Sequence, residues 1–468
     1  MRAHVKKLPI SVASGVLLGA AFTASPLSLI AVAGAIAVIA FAGRGLPHEE
    51  RRLLMIVLGV ALAARLVIVL GLVVLGLPHL NDLAVGSLRG DDAYYLGRAI
   101  RTRDILFNFG NGKYDYFVVL DEYGQTSYLN VLSAIQIVFG PTPFSMRLVN
   151  AVFFVAGAVL LFRAARPAFG PTAAFSALVL LLFLPSLMWS SISLLKESLY
   201  FFSCALLLYC AIRIAHAPRP AKLLAFVALG ASGAWLMADL RRDALTLLGS
   251  GLVVAIVIRV VAVTRARLLT VTALAIFAAT ILLTQSSIQA RAAASIESLA
   301  RIHGGHVFTV GHPYKLLEDE FYAIPADPGG WSIDLTPAQA GRFVVRAAAS
   351  FLVTPWPWQM SSLGELALLP EQLVWYLLLI GLPAGLVAGW RRDAMTTSLF
   401  IGYVLPTAVA LALTNGNIGT LMRMRGLVTP YLMWVGVLGI IAMADAALRL
   451  RRSQSTRSMT LAVDGPTA

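Results

Sequence analysis

The sequence predicts an all-α polytopic membrane protein: a bundle of about twelve transmembrane helices with juxtamembrane helices in two outer loops. Three observations predict it. The chain of 468 residues is 59% hydrophobic and only 13% charged, with a mean hydropathy of +0.81. A water-soluble chain of that length needs far more polar surface. Apolar runs of bilayer-crossing length, roughly 20 residues each, recur along almost all of it, and Lys and Arg gather in alternate connections between them.

The first span is expected near 9–25, behind "MRAHVKK". It reads as a retained helix, because no small-residue cleavage site stands clear of further spans. Spans near 27–43 and 53–76 complete an N-terminal unit, 1–76. A first outer loop with juxtamembrane helices occupies 77–144, its long polar part lying at roughly 77–127. Central spans are expected near 145–165, 171–191, 197–214, 222–240, 244–263 and 268–285, within 145–285. A second outer loop with an interfacial helix fills 286–371, and spans near 372–389, 394–413 and 426–448 close the membrane part at 372–448. Residues 449–468 are a tail. Two apolar stretches, 128–140 and 343–356, are too short or too interrupted to cross. They suit helices lying on the membrane or dipping into it.

Orientation follows from the basic connections. Arg44, Arg51 and Arg52, then Arg163 and Arg166, then Arg213, Arg219 and Lys222 mark successive cytoplasmic loops, and Arg449, Arg451 and Arg452 mark the tail. Both termini are therefore expected inside and both long loops outside. The net charge of +14 is read as this topological signal; no aromatic-basic nucleic-acid motif accompanies it. Cys204 and Cys210 share one apolar run and read as small core residues. No repeat of 20–50 residues and no inverted halves are visible, which weighs against a transporter.

Where could chemistry sit? "RGDDAYYLGRAIRTRD" at 89–104 places Asp91, Tyr95 and Arg98 on one helical face. Asp91 or Asp92 would serve as a helix N-cap; the sharper alternative is a general base at the lipid–water boundary. Short outer loops should be poor in cations, yet Lys196, Arg241, Arg242, Arg423 and Arg425 lie on them. Snorkelling, or pairing with Asp239 and Asp243, would account for "DLRRDA". "NGNIGTLMRMRG" at 415–426 has no nearby acid, and a Gly-rich turn with exposed amides beside two arginines suits phosphate. Arg423 and Arg425 are thus the first choice for a phosphate group, Arg242 and Lys196 the second. Arg65, in mid-span, must face protein or a wet cavity as an ion pair or part of a substrate path. His303, His306 and His312 do not make a metal site, because Gly304 and Gly305 should break the helix that would align them. Their loop reads instead as a lid or acceptor-docking segment. "TPWPWQM" at 354–360 reads as an aromatic anchor or the wall of a groove for lipid or sugar.

The stretches "DDAYYLGRAI", "GQTSYLNVLSAIQIVFG", "SMRLVNAVFFVAGAVLLFRAARPAFG" and "LPSLMWSSISLLKESLYFF" follow one another in an order that resembles the GT-C superfamily of polyprenyl-phosphate-sugar-dependent glycosyltransferases. The likeness is closest to the bacterial protein-mannosyltransferase-like and aminoarabinose-transferase-like branch, and it covers residues 90–200. It implies a GT-C-type bundle in the plasma (inner) membrane with its active site on the periplasmic or extracellular side. It further implies transfer, with inversion, of a sugar from a polyprenyl-phosphate carrier to a glycan, lipid or protein acceptor, with no cofactor. Asp91 would be the base, Asp92 its orienting neighbour, and Glu197, Tyr95 and Arg241 further substrate-site residues. Two rivals stand beside this reading: a transporter or flippase of lipid-linked glycans, and an O-antigen-type polymerase or ligase using a lipid-diphosphate donor. The ligase would have no need of the acidic pair.

Overall fold

The computed structural model describes residues 25–74, 90–107, 127–140, 142–216, 219–241, 243–263, 285–309, 312–323, 333–360 and 366–463, with isolated positions elsewhere. The helices in chain order are α1 Pro26–Ala42, α2 His48–Val74, α3 Gly90–Leu106, α4 Ser127–Phe139, α5 Pro143–Phe169, α6 Pro171–Phe183, α7 Pro185–Ile192 and α8 Glu197–Ala215. There follow α9 Pro220–Ala238, α10 Ala244–Val263, α11 Ser286–Val307, α12 Pro337–Val353, α13 Leu369–Arg392, α14 Ala394–Thr414, α15 Ile418–Arg425 and α16 Thr429–Val463. No strand occurs among the described residues; Pro313 and Asn417 form an isolated bridge.

Proline writes many of these boundaries. It occupies the first turn of α1, α5, α6, α7, α9 and α12, where its missing N–H costs nothing and its fixed φ is already helical. Polar caps add to this: Ser25 accepts from the Leu27 amide before α1, and Asp393 accepts from the Thr396 amide before α14. Between α5 and α6 the chain reverses at Gly170, whose φ of 90° disfavours a side chain.

Among the described residues, eight helices are long and apolar enough to cross a membrane, or nine if the bent pair α6–α7 is one span. The chain is an all-α polytopic membrane protein. The expected spans at 53–76, 145–165, 197–214, 222–240, 244–263, 372–389, 394–413 and 426–448 each fall on one of those eight. The continuous span expected at 171–191 is not there. It is broken by 60° between Phe183 and Pro185, because Pro185 has no amide to offer the carbonyl four residues back. The span expected at 27–43 is a helix of only 17 residues, and those at 9–25 and 268–285 lie largely outside the described residues. The surface stretches at 128–140 and 343–356 correspond to α4 and to the end of α12.

α5, α8 and α14 are the most enclosed spans, while α9 and α10 line the rim with Trp235 81% and Val253 60% exposed. On a lipid-facing rim such exposure is expected. The most extensive helix pair is α13 with α16. Gly381 and Gly385 meet Gly436 and Gly439 there so closely that a Cβ on Gly385 would collide with the Val435 carbonyl. Small residues replace apolar bulk where lipid gives no hydrophobic drive between helices.

Candidate functional site

The end of α7 and the start of α8 are separated by residues 193–196, which are not helical. An unwound stretch between apolar helices leaves peptide groups that must find partners. Side chains from two other helices supply them. The Asp92 carboxylate, on α3, accepts from the Leu194 amide at 2.6 Å and pairs with Arg147 of α5 at 2.5 Å. Arg147 also donates to the Ile192 carbonyl at 3.1 Å. One turn along α5, the Asn150 amide nitrogen reaches the Ser193 carbonyl at 2.6 Å, the Leu195 carbonyl at 3.3 Å and the Tyr128 hydroxyl at 2.9 Å. The "RLVN" run at 147–150 is thus the staple of a broken segment.

Tyr95, a candidate from sequence, packs edge-on against Tyr128 at 5.6 Å between ring centroids, so it stands at this site. Burial pushes the Tyr128 hydroxyl up in pKa, with the negative charges of Asp92 and Glu197 adding to the effect. Tyr128 is therefore a neutral donor and acceptor between two carboxylates. Arg98 lies over the Tyr94 ring at 4.3 Å. The side chain of Asp91, the expected base, lies outside the described residues, although its backbone belongs to α3.

Three residues beyond Leu194, Glu197 opens α8 and draws two cations from distant parts of the chain. Its Oε1 accepts from Arg423 of α15 at 3.2 Å and lies 3.7 Å from Arg241, in the turn after α9. Its other oxygen is buried with no hydrogen-bond partner among the described residues, as is Arg241 Nε. Arg241 also lies over the Tyr200 ring at 5.3 Å, with its terminal nitrogens against the Met424 sulfur. Two guanidiniums thus face one carboxylate, with Lys196 next in the chain, at a partly desolvated place. Such a place favours an anion with several oxygens. Of the cations expected to meet a phosphate, the structure brings Arg423 to Glu197, next to Lys196 in the chain, and joins to them Arg241, a residue expected only as a further substrate-site candidate. Arg242 lies outside the described residues.

Arg425 goes elsewhere. It is two positions from Arg423 on α15, which points the pair to different faces. Its guanidinium donates to the Phe351 and Thr354 carbonyls and, at 3.0 Å, to Gln372. It also stacks near Phe351 and Trp375. Trp375 donates to the Leu352 carbonyl and Tyr376 to that of Val353, so four successive carbonyls at the end of α12 are satisfied by side chains. Burial lowers the Arg425 pKa to about 10, which leaves it charged. It is a helix-end cap, 3% exposed. Two amides of the Gly-rich turn in 415–426, expected to be exposed for an anion, are already engaged. The Ile418 amide donates to the His312 carbonyl, and that of Gly419 to Asn417 Oδ1, both at 2.9 Å. Gly416 instead permits close packing on His303.

The helix through the histidines is not broken as expected. α11 continues through Gly304 and Gly305 to Val307. His303 Nδ1 lies 2.7 Å from the Asn415 carbonyl and His306 Nδ1 2.7 Å from that of Thr414, so both rings cap the end of α14. Tyr322 bridges His303 Nε2 to the Leu316 and Leu317 amides, anchoring the loop to the bundle. Burial pushes the His303 pKa down to about 4, so the ring is neutral. Among the described residues no group of three or more His, Cys, Asp or Glu could hold a metal.

Arg65 is neither part of an ion pair nor open to a path among the described residues. Fully buried, it donates to Ser191 Oγ at 2.8 Å and to the carbonyls of Ala61 and Leu182 at 3.0 Å, beneath the Phe154 ring. The Leu182 carbonyl is one that the α6–α7 break releases. The Ser186 amide that would have served it donates to Glu371 of α13 at 2.9 Å instead. Tyr128, Arg147 and Asn150 lie in the stretches that carry the family resemblance, with no site role assigned to them there, and Glu371 was not singled out. The signal for Arg147 is the one that singled out Arg65, a cation next to an apolar span that needs a partner.

No family model matches the chain, and neither do the curated proteins nor the solved structures compared with it.

Proposed function

We propose that the chain is an integral membrane glycosyltransferase that moves a sugar from a polyprenyl-phosphate carrier to an acceptor at the outer membrane face. In this reading it lies in the inner membrane with about twelve spans and both termini cytoplasmic. One observation carries most of the weight: Arg241 and Arg423 converge on Glu197, three residues from the amide that Asp92 holds. An acidic pair and a cationic cluster at one end of a bundle are what transfer from a lipid phosphate requires.

The step balances as follows. The acceptor hydroxyl or amine loses its proton to the Asp91 carboxylate, and its lone pair attacks the anomeric carbon opposite the phosphate. The bond from that carbon to the phosphate oxygen breaks, and its electron pair leaves with polyprenyl phosphate. The added negative charge on the leaving group meets Arg241 and Arg423, so stabilisation grows along the reaction. Asp92 is already committed to Leu194 and Arg147. It acts by fixing α3, and hence its neighbour, against the unwound segment.

The test offers the purified protein in vesicles a panel of polyprenyl-phosphate sugars with crude membrane acceptors. Sugar-dependent release of polyprenyl phosphate, with the donor KM raised about tenfold or more in Arg423→Gln, supports the reading. Turnover of lipid-diphosphate donors alone would move the assignment to a polymerase or ligase, which could use the same arginine pair. Transbilayer movement of intact donor without release would make it a flippase.

A further inference from the structure

At the opposite end of the bundle the chain builds a second cationic site that the proposed transfer does not use. A cavity of about 160 Å³ is walled in part by Arg44, Arg163, Arg166 and Arg213, with Leu46 and Tyr209 among its other wall residues. Arg147 and Arg163 are both on α5, 16 residues apart, which separates them by roughly 24 Å along the axis. Glu197 and Arg213 stand at the two ends of α8 in the same way. This cavity and the Asp92–Glu197 site therefore face opposite sides of the membrane.

Basic residues that only orient a chain can splay into water, but three of these four are held around one space, with Arg44 at its edge. Arg163 donates to the Arg44 carbonyl at 2.5 Å and lies over the Phe41 ring at 5.5 Å. Arg213 lies between the rings of Tyr209 and Phe226, at 5.9 and 5.6 Å. Arg166 is gripped through two nitrogens by Glu50, at 2.5 and 2.6 Å. Among the described residues Glu50 is the one carboxylate paired to this group, so four positive charges face one negative charge. Like charges kept close in a fixed frame cost energy unless an anion joins them. The space is below the roughly 300 Å³ usual for a whole small-molecule ligand; it has room for one phosphate-sized group whose remainder stays outside.

We infer that this cavity binds a phosphate group, either the headgroup of an anionic phospholipid or free phosphate. The site does not depend on the glycosyltransferase reading. Apolar wall residues and a place between span ends favour the lipid, since basic pockets between transmembrane helices hold such headgroups.

The experiment uses the full chain in detergent, with native mass spectrometry against phosphatidylglycerol, cardiolipin and phosphatidylcholine, and thermal unfolding against inorganic phosphate and pyrophosphate. The variants are Arg44→Gln/Arg213→Gln and, as a control for lost charge alone, Arg391→Gln/Arg451→Gln. Retention of one anionic lipid, weakened about tenfold or more in the first variant and unchanged in the control, assigns the site to a headgroup. Stabilisation by inorganic phosphate or pyrophosphate with the same variant dependence, and no lipid retention, assigns it to free phosphate. Should the double variant fail to fold, Arg44→Gln alone serves, since its guanidinium holds no described partner whose loss would unfold the chain. Equal binding by wild type and the cavity variant, or equal loss in the control, overturns the inference.

Discussion

At the scale of single residues, the molecule spends its buried charges on broken backbone. Asp92, Arg147, Arg65 and Arg425, joined by the uncharged Asn150, each serve peptide groups that a helix end or a break has released. Glu197 differs, because its partners are cations and one of its oxygens has no hydrogen-bond partner among the described residues. Arg423→Gln should destabilise the protein by about 3 kcal/mol, since it strips a partly desolvated carboxylate of a countercharge. Adding Glu197→Gln should restore much of that in thermal unfolding; a double variant no more stable than the single would show the pair to be unimportant. His303 sets a pH dependence. Its buried ring titrates near pH 4, whereas an exposed imidazole titrates near 6.5. Between those values the unfolded form binds a proton that the packed form refuses. The docking of α11 and residues 312–323 is thus fully stable above pH 6.5 and loses roughly 2 kcal/mol by pH 5. Amide exchange in 312–323, corrected for intrinsic rates, should speed up on acidification in the wild type and not in His303→Gln. Equal acid sensitivity in both would remove His303 as the cause.

Elements were legible in sequence wherever a long apolar run agrees with a first-turn proline, as in α5 and α9, or with a polar cap, as in α14 behind Asp393. Breaks were less so. Pro185 sits in "LPSLMWSS" as a proline that could equally kink a span. What makes it a break is the pair of acceptors and donors, Glu371 and Arg65, brought from α13 and α2. Neither is near it in sequence. The same limit applies to the site: Arg423 and Arg425 are indistinguishable in the sequence, and only the position of α12 beside one face of α15 separates them. Asn150→Ala should leave the Ser193 and Leu195 carbonyls with weaker partners, at a cost of about 1–3 kcal/mol. It should also accelerate exchange of the Leu194 amide; protection as strong as in the wild type would deny the staple. Gly385→Val should separate α13 from α16 and cost about 1–3 kcal/mol or more from overpacking. An unchanged unfolding temperature would contradict the close crossing.

For the whole molecule, two cationic sites lie at opposite ends of one bundle, with α5 and α8 connecting them. Composition and periodicity were sufficient for a polytopic all-α protein, because in lipid only helices and closed barrels satisfy their own backbone. They did not reach which ends of which helices share a surface, since that depends on contacts across the chain. The proposed orientation makes a direct prediction. Cys204 and Cys210 are buried, so a cysteine at 358 should react with an impermeant thiol reagent in intact cells, and one at 451 only after permeabilisation. The reverse pattern would turn the proposed site to the cytoplasm. The measurement closest to the central claim compares donor turnover by the wild type, Asp91→Asn and Asp92→Asn in the same vesicles. If Asp91 is the base and Asp92 its positioning neighbour, Asp91→Asn loses roughly a hundredfold or more in turnover with donor binding and folding intact. Asp92→Asn then lowers stability and turnover together. Turnover by Asp91→Asn equal to that of the wild type would contradict the mechanism and leave the carboxylates a purely structural role.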